Sequence, residues 1–264
     1  MKMIDLTHPH REFPVTACGL VLGNFDGVHR GHMALIEELK RQNEKLSVPL
    51  ALGAFCFERH PSFYFGKPIP LLCSNEEKME QFRRAGLQFV IWGDFAELKD
   101  LSPREFVTEF LWNTCGCRMA VCGFNFTFGK KGAGTPEDLI QLFAEAGDGI
   151  VSVVPPVTDD GASVSSTSIR NLLEQGDPVH AARLLGRPFT AECTLLGQSH
   201  GEVTLAFPAN GVLPGKGNYR VQAKIGEDVY ESSARVDTSC TLFLPPSVEL
   251  PAKGKITLSF LAKL

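Results

Sequence analysis

Apolar residues along the chain change their rhythm once. Up to about residue 186, short unbroken apolar runs alternate with stretches whose apolar positions recur every three or four residues. The runs fall at 20–22, 49–57, 89–92, 119–123 and 150–154, each of a length that suits a buried strand. Between them lie helical patterns at about 32–46 (with Leu35, Ile36 and Leu39 on one face) and from Ser74 to Gly86. Ser102-Pro103-Arg104-Glu105 and Thr135-Pro136 open two more, the first with a capping-box spacing and a first-turn proline. Ser165 and Asp177-Pro178 open the last two. Residues 1–17 have little periodicity and read as a short first strand or an arm, with His8 and His10 solvated. Strands alternating with helices at this spacing predict a parallel sheet covered on both faces, with ligands gathered at the carboxyl ends of its strands.

Beyond Arg187 the helical period disappears. Short β-rich runs follow at 192–196, 202–207, 219–225, 229–236, 241–244 and 256–261, with Gly, Pro and Asn between them. That pattern suits a small antiparallel barrel or sandwich. The expected organisation is a first domain at 1–187 and a second at 188–264.

Charge narrows the classes of partner. Lys and Arg number 26 against 30 Asp and Glu, a net −4, so no broad basic field exists for nucleic acid or anionic membrane. Any polyanion site must be local. No stretch approaches the ~18 apolar residues of a membrane span, and Met1-Lys2-Met3-Ile4-Asp5 does not open a signal peptide, so the cytoplasm is the expected location. Six of the eight cysteines (Cys18, Cys56, Cys73, Cys122, Cys193 and Cys240) are widely spaced, mostly in apolar runs, where the thiol acts as a small hydrophobe. Cys115-Gly116-Cys117 is the one close pair and has no partner pair elsewhere. Reduced thiols are expected, with a zinc site as the alternative.

Candidate chemistry concentrates after the first run. Gly23-Asn24-Phe25-Asp26-Gly27-Val28-His29-Arg30-Gly31-His32 is a glycine-rich loop entering a helix, a strand–loop–helix arrangement that presents free N–H groups to an anion. His29 and His32 are spaced to face one phosphate together, and a metal pair is the alternative reading. Ser165-Ser166-Thr167-Ser168-Ile169-Arg170 sets hydroxyls at a helix start with a guanidinium one turn inside, either a plain cap or a second anion site. Phe126 and Phe128, in Gly123-Phe124-Asn125-Phe126-Thr127-Phe128-Gly129, read first as core. Lys130 and Lys131 with the Gly132-Ala133-Gly134 loop either close over phosphates or form a solvated turn.

His29-Arg30-Gly31-His32 matches the HxGH signature of the nucleotidylyltransferase superfamily. The ten residues 23–32 together resemble the bacterial FAD synthetases, the adenylyl-transferring modules of bifunctional riboflavin kinase/FAD synthetase proteins. The resemblance covers about 18–188 with four motifs in order. It implies a Rossmann-like nucleotidylyltransferase sheet followed by a smaller antiparallel β-barrel, and the reaction FMN + ATP → FAD + pyrophosphate with Mg²⁺. By the same resemblance His29, His32, Arg170 and Asn125 are catalytic, with Arg170 on the β- and γ-phosphates and Asn125 beside the nucleotide and Mg²⁺. Gly23, Asn24, Phe25, Asp26, Gly27, Gly31, Ser165, Ser166 and Thr167 bind ATP. Phe57, His60, Phe63 and Phe128 are the flavin contacts, with His60 alternatively a turn anchor. Trp92 is a further stacking candidate. Metal ligands and oligomeric state are not assigned.

The sequence also departs from the family. Arg59 stands where the F-(E/D)-P-H-P element usually has proline, which keeps another phosphorylated acceptor in play. A nucleotide- or flavin-binding regulator without turnover is a further alternative. In the second domain Ala206-Phe207-Pro208-Ala209-Asn210 lacks the Thr of the kinase motif G-F-P-T-A-N, and residues 238–242 hold no Glu where the kinase base is expected. The chain ends at Leu264, ahead of the kinase's helical tail. A riboflavin-kinase-like barrel without kinase activity is expected, with retained activity as the alternative.

Overall fold

The computed structural model describes residues 2–5, 17–199, 201–245, 247–250 and 254–264; His8 and His10 lie outside them. Contacts divide the chain into two compact units, Met1–Pro68 with Asn75–Thr158, and Ile69–Ser74 with Asp159–Leu264.

The first unit is built on six strands: β1 (Lys2–Asp5), β2 (Cys18–Leu22), β3 (Ala51–Phe57), β4 (Phe89–Gly93), β5 (Cys117–Gly123) and β6 (Ile150–Val154). Their order is β1-β4-β3-β2-β5-β6, and every neighbouring pair is parallel. The unbroken apolar runs follow from burial on both faces. Leu20 and Leu22 pack on one side with Phe106, Phe110, Leu139 and Phe143. Val21, between them, packs on the other with Leu35, Ile36, Leu39 and Val121. Gly53 is needed in β3 because a Cβ there would stand 2.5 Å from the Phe89 ring.

Helix α1 (Arg30–Asn43) follows β2, and α2 (Asn75–Arg84) precedes β4. The short α3 (Phe95–Leu98) follows β4, capped by Asp94. In α4 (Pro103–Glu105) the Ser102/Glu105 capping box is present, and α5 (Pro136–Ala146) carries another between Thr135 and Asp138. After α4 the helix continues as a π-helix over Phe106–Thr114, a winding the sequence pattern did not predict. Phe106 and Cys115 are both buried, yet nine residues are two and a half α-turns, about 3.6 residues each, and would set them on opposite faces. The wider winding, closed by Cys115 N–H to the Phe110 carbonyl at 2.9 Å, brings both to the core.

Strand order places the ligand side. From β2 the chain moves to β3 on one side, and after β4 it returns to add β5 on the other. The reversal lies between β2 and β5, and in an open parallel sheet the crevice at such a point, beyond the strands' carboxyl ends, receives ligands. The loops Gly23 to His29 and Phe124 to Gly129 both leave from it.

Two-residue strands β7 (Thr158–Asp159) and β8 (Ala162–Ser163) follow in the chain, then α6 (Ser166–Glu174) and α7 (Pro178–Leu185). A closed antiparallel barrel completes the second unit: β9 (Phe189–Ser199), β10 (Glu202–Ala206), β11 (Gly217–Ile225), β12 (Asp228–Val236), β13 (Cys240–Phe243) and β14 (Lys255–Lys263). Its order, β10-β13-β12-β11-β14-β9, closes on itself and leaves no edge. Tyr219, Val221, Ala223 and Ile225 are the buried alternate positions of β11.

By contacts the compact units part between Thr158 and Asp159. Helix α7 packs on β9 and β14, burying Ala181, Leu184 and Leu185, so α6 and α7 go with the barrel. Residues 69–74 join it as well. The Leu71 N–H donates to the Asn210 carbonyl at 2.7 Å, and the Val212 N–H to the Leu71 carbonyl at 2.9 Å. Among the described residues no helix is long and apolar enough to cross a membrane. All eight cysteines are free and buried, the Cys115–Cys117 pair included.

Candidate functional site

The loop after β2 is tightly constrained. Phe25 (φ 52°) and Val28 (φ 40°) both hold left-handed backbone, as does Gly27 (φ 82°). A β-branched residue at positive φ is a true outlier, worth roughly 1–3 kcal/mol of strain. The side chains of Phe25 and Val28 are buried, and the Val28 N–H closes the turn on the Phe25 carbonyl at 3.3 Å. Packing therefore holds a backbone that local propensity would not choose.

His29 caps α1: its Nδ1 accepts the His32 N–H at 3.4 Å. That bond puts the imidazole proton of a neutral His29 on Nε2. The two rings stack, centroids 3.7 Å apart and 17° from parallel, and Phe25 lies against His32 at 5.0 Å. His32 Nδ1 is buried with no hydrogen-bond partner among the described residues. Burial, then the adjoining His29, then Lys78 push its pKa well below the ordinary value of 6.5, so the ring is neutral at pH 7.

Lys78 is the residue the sequence reading missed. Its exposure is 7%, and with Asp26 (4%) and His29 (6%) it completes the buried polar and charged residues of the described chain. Asp26 and His29 lie in the loop itself. From α2 the Lys78 Nζ donates to the Asn24 carbonyl at 3.0 Å and sits 5.5 Å from the centre of the Trp92 ring. Trp92 is thereby a packing residue of this unit, buried at the end of β4. The signal was present in the pattern: Lys78 leads Phe82 and Ala85 at helical spacing, a charge in the apolar stripe.

The other candidates of this unit divide by exposure. Asn125 is exposed on the loop after β5. Phe128 is buried against Phe106 and Phe126, at 5.5 and 5.7 Å, which is the core position read from the sequence. His60 caps the short 3₁₀ turn Pro61–Phe63, its Nδ1 accepting the Ser62 N–H at 3.2 Å; the anchoring role is thus present. Half-buried Phe57 packs edge-on to Phe55 and Phe95, and Arg59 stands 5.4 Å over half-buried Phe63. Lys130 lies 3.7 Å from Asp100, an exposed pair worth little.

In the second unit Ser165 caps α6, its Oγ accepting the Ser168 N–H at 3.1 Å and lying 2.8 Å from the Ser168 Oγ. Thr167 is exposed, and Ser166 is half-buried. The Arg170 Nε donates to the Pro70 carbonyl at 2.8 Å, which aims the guanidinium from its base. Strand β13 begins at buried Cys240, so the stretch read for the kinase base presents a thiol and hydroxyls. Among the described residues no group of three or more His, Cys, Asp or Glu is placed to hold a metal ion.

A parallel sheet with a glycine loop and a capped helix start at its reversal point, in a chain that also carries a closed antiparallel barrel, defines an α/β protein of the open-sheet, ligand-binding class. Residues 14–168 match the family model for FAD synthetase. A bifunctional riboflavin kinase/FMN adenylyltransferase of Bacillus subtilis (strain 168) is 32% identical over 272 residues, spanning 95% of this chain and 83% of that protein. The protein of the same description from Listeria monocytogenes is 30% identical, spanning 91% of this chain and 79% of its own length. The crystal structure of a macrolide-efflux protein from Streptococcus pneumoniae shares the fold, with a TM-score of 0.85 at 23% identity over 100% of this chain and 91% of that one. The chain belongs to the FAD synthetase family.

Proposed function

We propose that the chain is an FMN adenylyltransferase of the cytoplasm. An FMN phosphate oxygen attacks the α-phosphorus of ATP, the bond from that phosphorus to the bridging oxygen breaks, and pyrophosphate leaves with the electron pair. The nucleophile is already ionised, so the protein's work is alignment and stabilisation of the charge on the leaving group. His29 and His32, with the N–H groups at the start of α1, hold the triphosphate. Arg170 neutralises the β- and γ-phosphates, and the start of α6, with Ser165, Ser166 and Thr167, adds further donors. The observation that carries this reading is the buried His32 Nδ1 with no partner among the described residues, in a ring stacked on His29 at a helix start. A polar atom left so is accounted for by a ligand that completes the site.

Magnesium would suit hard oxygen donors, and the exposed Asn125 amide on the loop after β5 is the candidate neighbour. It would take most of its ligands from phosphate and water, as this ion commonly does. When bound it neutralises phosphate charge. Phe57, His60 and Phe63 border the flavin side in this reading, and Phe128 stays in the core.

The test is direct. Protein incubated with FMN, ATP and Mg²⁺ forms FAD and pyrophosphate, resolved by chromatography. His29→Ala and Arg170→Ala each lower kcat by roughly 100-fold or more while the chain stays folded. Folded wild-type protein that yields no FAD sinks the proposal.

The barrel is proposed to lack riboflavin kinase activity, on the absence of a carboxylate at residues 238–242. Riboflavin with ATP and Mg²⁺ is then recovered unphosphorylated, and FMN formed at a rate matching FAD synthesis overturns this.

A further inference from the structure

Lys78 is an expensive residue to bury. An ammonium taken out of water costs several kcal/mol unless it is paired, and no carboxylate pairs with it among the described residues. What it has is one carbonyl, that of Asn24, and the face of Trp92. Carbonyl and ring both favour a cation, each with less charge than a carboxylate. The ammonium thus leaves positive charge beneath a loop that already offers N–H groups to an anion.

Its hydrogen bond to the Asn24 carbonyl also falls at a telling place. Asn24 immediately precedes Phe25, the first of the left-handed residues in the strained turn. Holding the Asn24 carbonyl from below fixes where that turn begins, and with it the start of α1 and the imidazole stack. We propose that Lys78 is a positioning residue for adenylyl transfer: from beneath the loop it pins the Asn24 carbonyl, holds the His29–His32 pair in register, and supplies fixed positive charge that the bound triphosphate balances. The inference rests on the adenylyltransferase reading and adds a residue to it.

The charge has an effect on His32 that can be read without turnover. Among the described residues the titratable groups acting on His32 are His29, stacked on it from the helix cap, and Lys78 from α2; Phe25 closes another side. Removing a neighbouring cation lets an imidazole take its proton at higher pH.

The experiment compares Lys78→Met, Lys78→Gln and Lys78→Arg in the full chain. With FMN, ATP and Mg²⁺, Lys78→Met is expected to lower kcat for FAD at least ~10-fold, with a smaller change in KM for FMN. Lys78→Arg keeps charge and donor and recovers part of the loss. In parallel, the His32 ring signal is followed by NMR against pH in protein without substrates. Its midpoint moves up in Lys78→Met and stays near the wild-type value in Lys78→Arg. Should Lys78→Met fail to fold, Lys78→Gln, which retains a donor for Asn24 without the charge, takes its place in both measurements. A folded neutral variant with kcat within about twofold of wild type, or with an unmoved His32 midpoint, overturns the proposal. Wild-type protein that makes no FAD defeats the reaction instead, and the NMR titration still decides whether Lys78 governs His32.

Discussion

At the scale of single residues, the site sets its histidine against solvent chemistry. His32 is neutral in the folded chain because burial, His29 and Lys78 all disfavour its charged form. The linkage runs in one direction: the unfolded chain takes up a proton as pH falls through 6.5, and the folded chain does so only at lower pH. Stability contributed by the neutral ring is complete above that value and declines below it. Urea unfolding at pH 7.5 and 5.5 should show wild-type protein losing stability on acidification, and His32→Gln losing less; equal losses would contradict the assignment. His29 and His32 were legible in the sequence because their spacing and the glycines around them form one local pattern. Lys78 was not, because a lysine in a helix reads as solvated unless its place in the apolar stripe is weighed. The positive φ of Phe25 and Val28 was beyond reach for another reason: packing imposes it against local preference.

At the scale of elements, one carboxylate links α1 to the far edge of the sheet. Glu38 accepts from the Ser152 Oγ on β6 at 2.6 Å, from Gln42 at 2.7 Å and from Arg41 at 2.8 Å. Burial pushes this carboxyl up, but the hydrogen bonds from Ser152, Gln42 and Arg41 outweigh it and hold its pKa down at about 2. That contribution is present above the ordinary value of 4.5 and is lost as pH falls towards 2. Glu38→Gln should therefore cost about 1–3 kcal/mol at neutral pH and flatten the dependence of stability on pH across that acid window, as denaturant titrations would report. Strand positions were legible because a sheet buried on both faces leaves unbroken apolar runs, and in the barrel because inward positions alternate. The π-winding at Phe106–Thr114 was not, since the burial of Cys115 decides it.

At the scale of the whole molecule, the two units are not two consecutive lengths of sequence. Cutting after Gly186, where the periodicity changes, would strip α7 of β9 and β14 and expose Ala181, Leu184 and Leu185. Such a truncation should lose helical signal in circular dichroism and most FAD synthesis, because α6 carries the Arg170 motif. A truncated chain with full activity would show that α6 and α7 stand without the barrel. The change of periodicity at 187 was readable from composition alone. The adherence of two helices and of residues 69–74 to the barrel was not, because it depends on contacts rather than on period.

The short segment 69–74 carries a consequence for synthesis of the protein. Its Leu71 meets its backbone partners only when Asn210 and Val212 exist, some 140 residues later in the chain. At roughly 5–20 residues per second on the ribosome, a stretch made early waits on the order of ten seconds for its partners. The nascent chain must leave that segment open, as a strap left unbuckled until its clasp is made.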